Sequence, residues 1–104
     1  MEANAAIEAL GALAQESRLA VFRLLIQQGP DGMPAGHVAE ALGIPPATLS
    51  FHLAQLGHAG LVLSRRDGRR IIYSADYAGI RELIAFLTEK CCQPAPRGGR
   101  ARKC

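Results

Sequence analysis

The chain has 104 residues, with twelve Lys and Arg against nine Asp and Glu, three cysteines and no tryptophan. That length holds one domain burying roughly 60–70% of its unfolded surface, and no apolar run approaches the roughly 18 residues of a bilayer span, which excludes a membrane protein. The net charge of +3 is uneven: residues 1–64 carry two basic and five acidic side chains, whereas the ten residues from Arg65 to Ser74 carry four arginines against one aspartate.

Such a concentration of arginines fits a polyanion binder, or else a solvated hairpin. The start, MEANAAIEALGAL, lacks the basic residues and cleavage site of a signal peptide, which predicts a cytoplasmic protein with reduced thiols. Ala6, Leu10 and Leu13 at i, i+4 and i+7 predict a first helix over Ala3–Ala14 with that stripe as its apolar face. Ser17 reads as the N-cap of a second helix, whose period runs through Leu19, Phe22, Leu25 and Ile26 until Gly29 and Pro30 end it.

A loop, GPDGMP, leads to a short helix over Ala35–Leu42 with Gly43 as its C-terminal cap. The next helix starts at Pro46, a residue suited to a first helical turn, and runs to about Ala59. It buries Leu49, Leu53 and Leu56. The period then changes: LVLSRR and RRIIYS, joined by Asp67 and Gly68, predict a β-hairpin. A final helix is expected over Tyr77–Cys91, with Ile80, Leu83, Ile84 and Leu87 on one face and Pro94 and Pro96 beyond it. One domain is therefore expected over residues 1–93, with 94–104 a flexible basic tail carrying Cys104.

Two helices joined at a glycine corner make either a plain αα-hairpin or a helix-turn-helix, and the arginine-bearing hairpin directly after them favours a winged helix-turn-helix. The predicted fold class is mainly α with a β-hairpin wing. In that fold the second helix of the pair enters the major groove of duplex DNA. A rotation of 100° per residue from the leucine face puts Ala47, Thr48, Ser50, Phe51, Gln55 and His58 on or beside the outward face. Thr48, Ser50 and Gln55 can hydrogen-bond base edges, while Phe51 either meets a thymine methyl or packs beneath the wing. Arg65, Arg66, Arg69 and Arg70 alternate strand faces, so only some reach phosphate together. No nucleophile, base and orienting acid stand at supporting spacing, and an enzyme is not expected.

All three cysteines, Cys91, Cys92 and Cys104, fall in the last fourteen residues. Three readings stand: a soft-ion site, a redox pair of Cys92 with Cys104 or across a dimer, or a buried Cys91 with two incidental thiols. Lys90, Arg97, Arg100, Arg102 and Lys103 favour thiolate over thiol. Neighbouring cysteines of a regular helix point about 100° apart, so one ion reaches both only if the last turn distorts.

The segments ALAQESRLAVFRLL, HVAEALGIPPATLSFHLAQLGHAGLV and RRDGRRIIYS resemble the ArsR family of metalloid- and metal-responsive bacterial repressors, over about residues 5–90. The resemblance implies a homodimer paired through its first and last helices, bound to double-stranded operator DNA and released by a soft ion. Many members carry a Cys-x-Cys pair opening the first helix of the helix-turn-helix; here PAGHVAEAL offers only His37. Zinc sensors use histidine and carboxylate on the last helix, which here has no histidine. Pro45 stands where many members have a polar cap. EKCCQ with Cys104 is similar to an arsenic-responsive subset with vicinal cysteines at the end of the last helix and a third farther on. Likeness to that subset implies arsenic(III), as arsenite, acting as inducer on Cys91, Cys92 and Cys104, with antimony(III) or a trivalent organoarsenical as related ligands. The competing classes are a thiol-redox repressor of the same family, a winged-helix protein-interaction module, and a metalloid buffer that ignores DNA.

Overall fold

The computed structural model describes residues 1–92. In chain order the elements are α1 (Ala3–Leu13), α2 (Glu16–Gln28), β1 (Met33–Pro34), α3 (Ala35–Leu42), α4 (Pro46–His58), β2 (Val62–Asp67), β3 (Arg70–Ala75) and α5 (Tyr77–Thr88). The core lies where α2, α3 and α4 meet. Val21, Leu25, Val38, Leu49, Leu56 and Leu61 are its largest fully buried side chains. Val62, Ile72 and Ala75 anchor the base of the wing, and Leu83 brings in α5. The architecture is the winged helix-turn-helix, and no helix among the described residues is long and apolar enough to cross a membrane.

The predicted face of α1 holds at Ala6, which is buried, and at Leu13, which packs against the core, and is corrected at Leu10: Ala9 and Ala12 are buried instead, while Leu10 is 42% exposed and Ile7 66%. Alanine lets α1 lie close against its neighbours, which leaves the larger residues outside. The cap of α2 is also corrected: Gln15, not Ser17, stands at the N-cap, its Oε1 accepting from the Arg18 backbone N–H at 2.8 Å. Arg18 Nε in turn donates to the Ala12 carbonyl at 2.9 Å, tying α1 to α2. As the third residue of α2, Arg18 performs the joining that a serine cap would not.

Gly43 ends α3 in the left-handed region at φ 65°, as the sequence predicts. A strand that periodicity does not predict is β1, which extends the hairpin to a sheet of order β1-β3-β2 through the antiparallel pairs Met33↔Tyr73 and Pro34↔Ile72. Gly32 makes it possible: its φ is 72°, and a Cβ there would strike the Tyr73 carbonyl. The hairpin turn moves one residue from its predicted place. Asp67 pairs with Arg70, so Gly68 and Arg69 form the loop, with the positive φ at Gly68 that a type II′ turn needs in its first central position.

Asp76 caps α5, its Oδ1 accepting from the Gly79 N–H at 3.0 Å. Gly79 faces the carbonyl of Gly60, where any Cβ would collide. The Tyr77 hydroxyl donates to the Ile26 carbonyl at 3.2 Å and joins α5 to α2. The helix stops at Thr88, three residues short of the predicted Cys91: Glu89 is extended at ψ 142° and Lys90 has φ 60°, which breaks the i→i−4 ladder.

Candidate nucleic-acid interface and thiol turn

α4 begins with Pro46, whose missing N–H costs nothing in a first turn, after Pro45 in extended geometry. Its buried side holds Leu49, His52, Leu53 and Leu56. Opposite, Ala47, Thr48, Ser50, Phe51, Gln55 and His58 are all exposed. Phe51 is 57% exposed, too open for a core residue beneath the wing, and its ring centroid lies 6.0 Å from that of His52 at a tilt of 60°. The outer face of α4 therefore presents two hydroxyls, an amide, an imidazole and a phenyl ring on a helix whose orientation four buried side chains set.

His52 packs into the buried side of α4. It is 7% exposed, and its Nδ1 is buried without a hydrogen-bond partner. Burial, and secondarily the positive charge of Arg18, lowers its pKa below the ordinary histidine value. Its spacing, three residues after Leu49 and four before Leu56, puts it on the leucine face.

All four wing arginines are exposed. Strand alternation puts Arg66 with Ile71, Ser64 and Tyr73, and Arg65 on the opposite face with Ile72. Arg65 Nη2 donates to the Asp31 carbonyl at 3.0 Å, which holds the wing against the loop before β1. Arg70 lies 3.6 Å from Asp67 Oδ2 in an exposed pair that contributes little. Among the described residues Arg66 and Arg69 make no ion pair or side-chain hydrogen bond, so both guanidinium groups are available to phosphate. His37, on the first turn of α3, is exposed.

Cys91 and Cys92 follow α5 in a turn closed by the Cys91 N–H donating to the Thr88 carbonyl at 2.9 Å. Cys92 takes φ 64° and is disulfide-bonded, and its exposed sulfur stands 3.1 Å from that of Cys91. The departure from helix thus brings together two sulfurs that a regular helix would splay. Cys104 lies outside the described residues, and among those described no group of three or more His, Cys, Asp or Glu is arranged to hold a metal ion.

A helix-turn-helix domain profile matches residues 13–65. The HTH-type transcriptional regulator YgaV of Escherichia coli (strain K12) is 32% identical over 90 residues, which are 86% of this chain and 89% of that protein. The structure of HlyU from Vibrio cholerae N16961 superposes with a TM-score of 0.67 at 30% identity, covering 89% of this chain and all of that one. A homodimeric winged helix-turn-helix DNA-binding domain from Mycobacterium bovis, a possible ArsR-family transcriptional regulator, gives a TM-score of 0.69 at 30% identity over 82% of this chain and 76% of that one. These relatives are regulators of transcription rather than enzymes.

Proposed function

Because the chain belongs to the ArsR family of winged helix-turn-helix transcriptional regulators, we propose that it is an arsenic(III)-responsive repressor. It binds double-stranded operator DNA as a homodimer, and a trivalent metalloid bound to the thiolates of Cys91, Cys92 and Cys104 releases it. The observation that carries the ion-sensing part is the convergence of the Cys91 and Cys92 sulfurs at 3.1 Å in the turn after α5. Soft thiolates select soft ions. Arsenite exchanges its three hydroxyls for three thiolates, and each thiol proton leaves with a hydroxyl as water. Cys104 supplies the third sulfur, and antimony(III) or a trivalent organoarsenical fits the same donor set.

On the DNA side, Thr48, Ser50 and Gln55 read base edges, Ala47 and Phe51 make apolar contact with them, and Arg65, Arg66, Arg69 and Arg70 supply the phosphate-facing charge. The dimer forms through α1 and α5, so an ion that pins the turn after α5 changes the spacing of the two α4 helices. A coupling of about 1–3 kcal/mol weakens DNA affinity about 5- to 150-fold.

The test is fluorescence anisotropy of the reduced protein on duplex DNA from upstream of its own gene, with arsenite titrated in and zinc as control. Arsenite should release the DNA and zinc should not. Cys91→Ser and Cys92→Ser should each bind DNA as the parent does and ignore arsenite; a variant that still dissociates would place the site elsewhere. The close sulfur pair also suits a second reading, a thiol-redox repressor. Release by a mild oxidant, with arsenite inert, would favour it.

A further inference from the structure

The thirteen residues of α4, PATLSFHLAQLGH, include no lysine, arginine, aspartate or glutamate. Arginine and lysine are the side chains that pair with guanine O6 and N7, and carboxylates are those that accept from cytosine N4. The arginines that follow α4, Arg65, Arg66, Arg69 and Arg70, all lie on or between the strands of the wing. A helix so composed lacks the charged groups by which a major-groove reader selects a G·C pair, whereas the hydroxyls of Thr48 and Ser50 suit any base.

The outward face offers an apolar seam instead. Ala47, Phe51 and Ala54 stand at i, i+4 and i+7, the same spacing by which Leu49, Leu53 and Leu56 form the buried side. All three residues of the outer seam are exposed, and Phe51 is neither in the buried core nor among the side chains packed against it. Alanine one turn before the ring and alanine one turn after it let the helix approach a groove floor until the ring meets it. Gln55 follows Phe51 by one turn, roughly 6 Å along the axis, which is the length of about two base steps. An amide at that place pairs with adenine N6 and N7, and a phenyl ring packs on the thymine methyl group that the major groove displays.

We propose that the half-site read by α4 is built of A·T pairs, and that Phe51 is its specificity-determining residue, seated on a thymine methyl group one turn from an adenine held by Gln55. The proposal rests on the reading of the chain as an operator-binding protein, and it names the class of base sequence which that reading leaves open. Discrimination then comes from burying a methyl group rather than from charge. Added salt weakens the phosphate contacts and lowers affinity for every duplex, but it leaves the preference for thymine in place.

The experiment lets the full reduced chain select duplexes from a random pool. The selected site is then resynthesised with one thymine of each half-site at a time replaced by deoxyuridine, which removes the methyl group and keeps the base pairing. The selected half-sites should consist mainly of A·T pairs. At one thymine position the replacement should weaken the parent by about tenfold, since burial of a methylene-sized group is worth about fourfold in each half-site. Phe51→Ala should bind the thymine duplex at least about tenfold more weakly and be indifferent to deoxyuridine at that position. The ring is exposed, so the variant should melt as the parent does. For the parent, the ratio of affinities for the two duplexes should hold from low to high salt while both affinities fall. A G·C-rich selected site, a parent indifferent to deoxyuridine at every thymine, or a Phe51→Ala variant with the parent's full sensitivity overturns the proposal while the operator-binding reading stands. A parent that retains no duplex from the pool overturns both.

Discussion

An imidazole sits where a leucine would complete the buried face of α4. His52 has an orphaned Nδ1, and the charge of Arg18 on α2 adds to burial in lowering its pKa. Since burial lowers its pKa, the unfolded chain takes up a proton that the folded chain refuses. The contribution of His52 to stability is full above the unfolded value of about 6.5 and falls as pH drops through it. The decline levels off once the pH is below the folded value. Melting of the wild-type chain should therefore shift to lower temperature between about pH 7.5 and pH 5, and His52→Leu should flatten that shift. Since an unsatisfied buried polar atom costs about 1–3 kcal/mol, the same variant should be no less stable than the parent at about pH 7.5. Equal pH slopes in the two proteins would remove His52 as the cause.

Among the elements, the wing divides its arginines by what already holds them. Arg65 is committed to the Asp31 carbonyl and Arg70 lies beside Asp67, whereas Arg66 and Arg69 make no such contact among the described residues. Substituting Arg66 and Arg69 by Ala should weaken binding uniformly across DNA sequences. It should also reduce the slope of log affinity against log salt by about 0.9 for each phosphate the variant no longer neutralises. An unchanged slope would assign both side chains to solvent. The helices and the hairpin were legible because apolar residues recur at a fixed period and Gly43 and Gly68 mark the corners. Periodicity weights large residues, so it chose Leu10 over the alanines that α1 buries. It could not see β1, whose two residues have no period and whose pairing is with β3, some forty residues on. The end of α5 was placed too late because nothing local in TEKCC, unlike the prolines beyond, announces the left-handed Lys90. The outward residues of α4 and the cysteine pair were legible by rotation and by spacing.

At the scale of the whole molecule, α1 packs against α5, and the two leave large apolar side chains outside: Ile7 and Leu10 on the first, Ile84 and Leu87 on the second, the latter pair 53% and 55% exposed. Exposed aliphatic residues on two adjoining helices suit a symmetric contact, in which a second copy offers the same patch. That face runs directly into the thiol turn, because Leu87 and Thr88 immediately precede it. On the proposed function, an ion held by Cys91 and Cys92 would act at the edge of the contact between the two copies and so on the distance between their α4 helices. Replacing Leu87 by Glu should leave the helical circular dichroism intact, halve the mass seen in sedimentation, and lower operator affinity by about 10²- to 10⁴-fold, as two linked half-site contacts become one. The monomeric variant should also lose the effect of arsenite on its remaining DNA binding, since no second reading head is left to respace. A dimer that survives both Leu87→Glu and Ile84→Glu would place the two-fold elsewhere. It would also detach the thiol turn from the control of DNA binding.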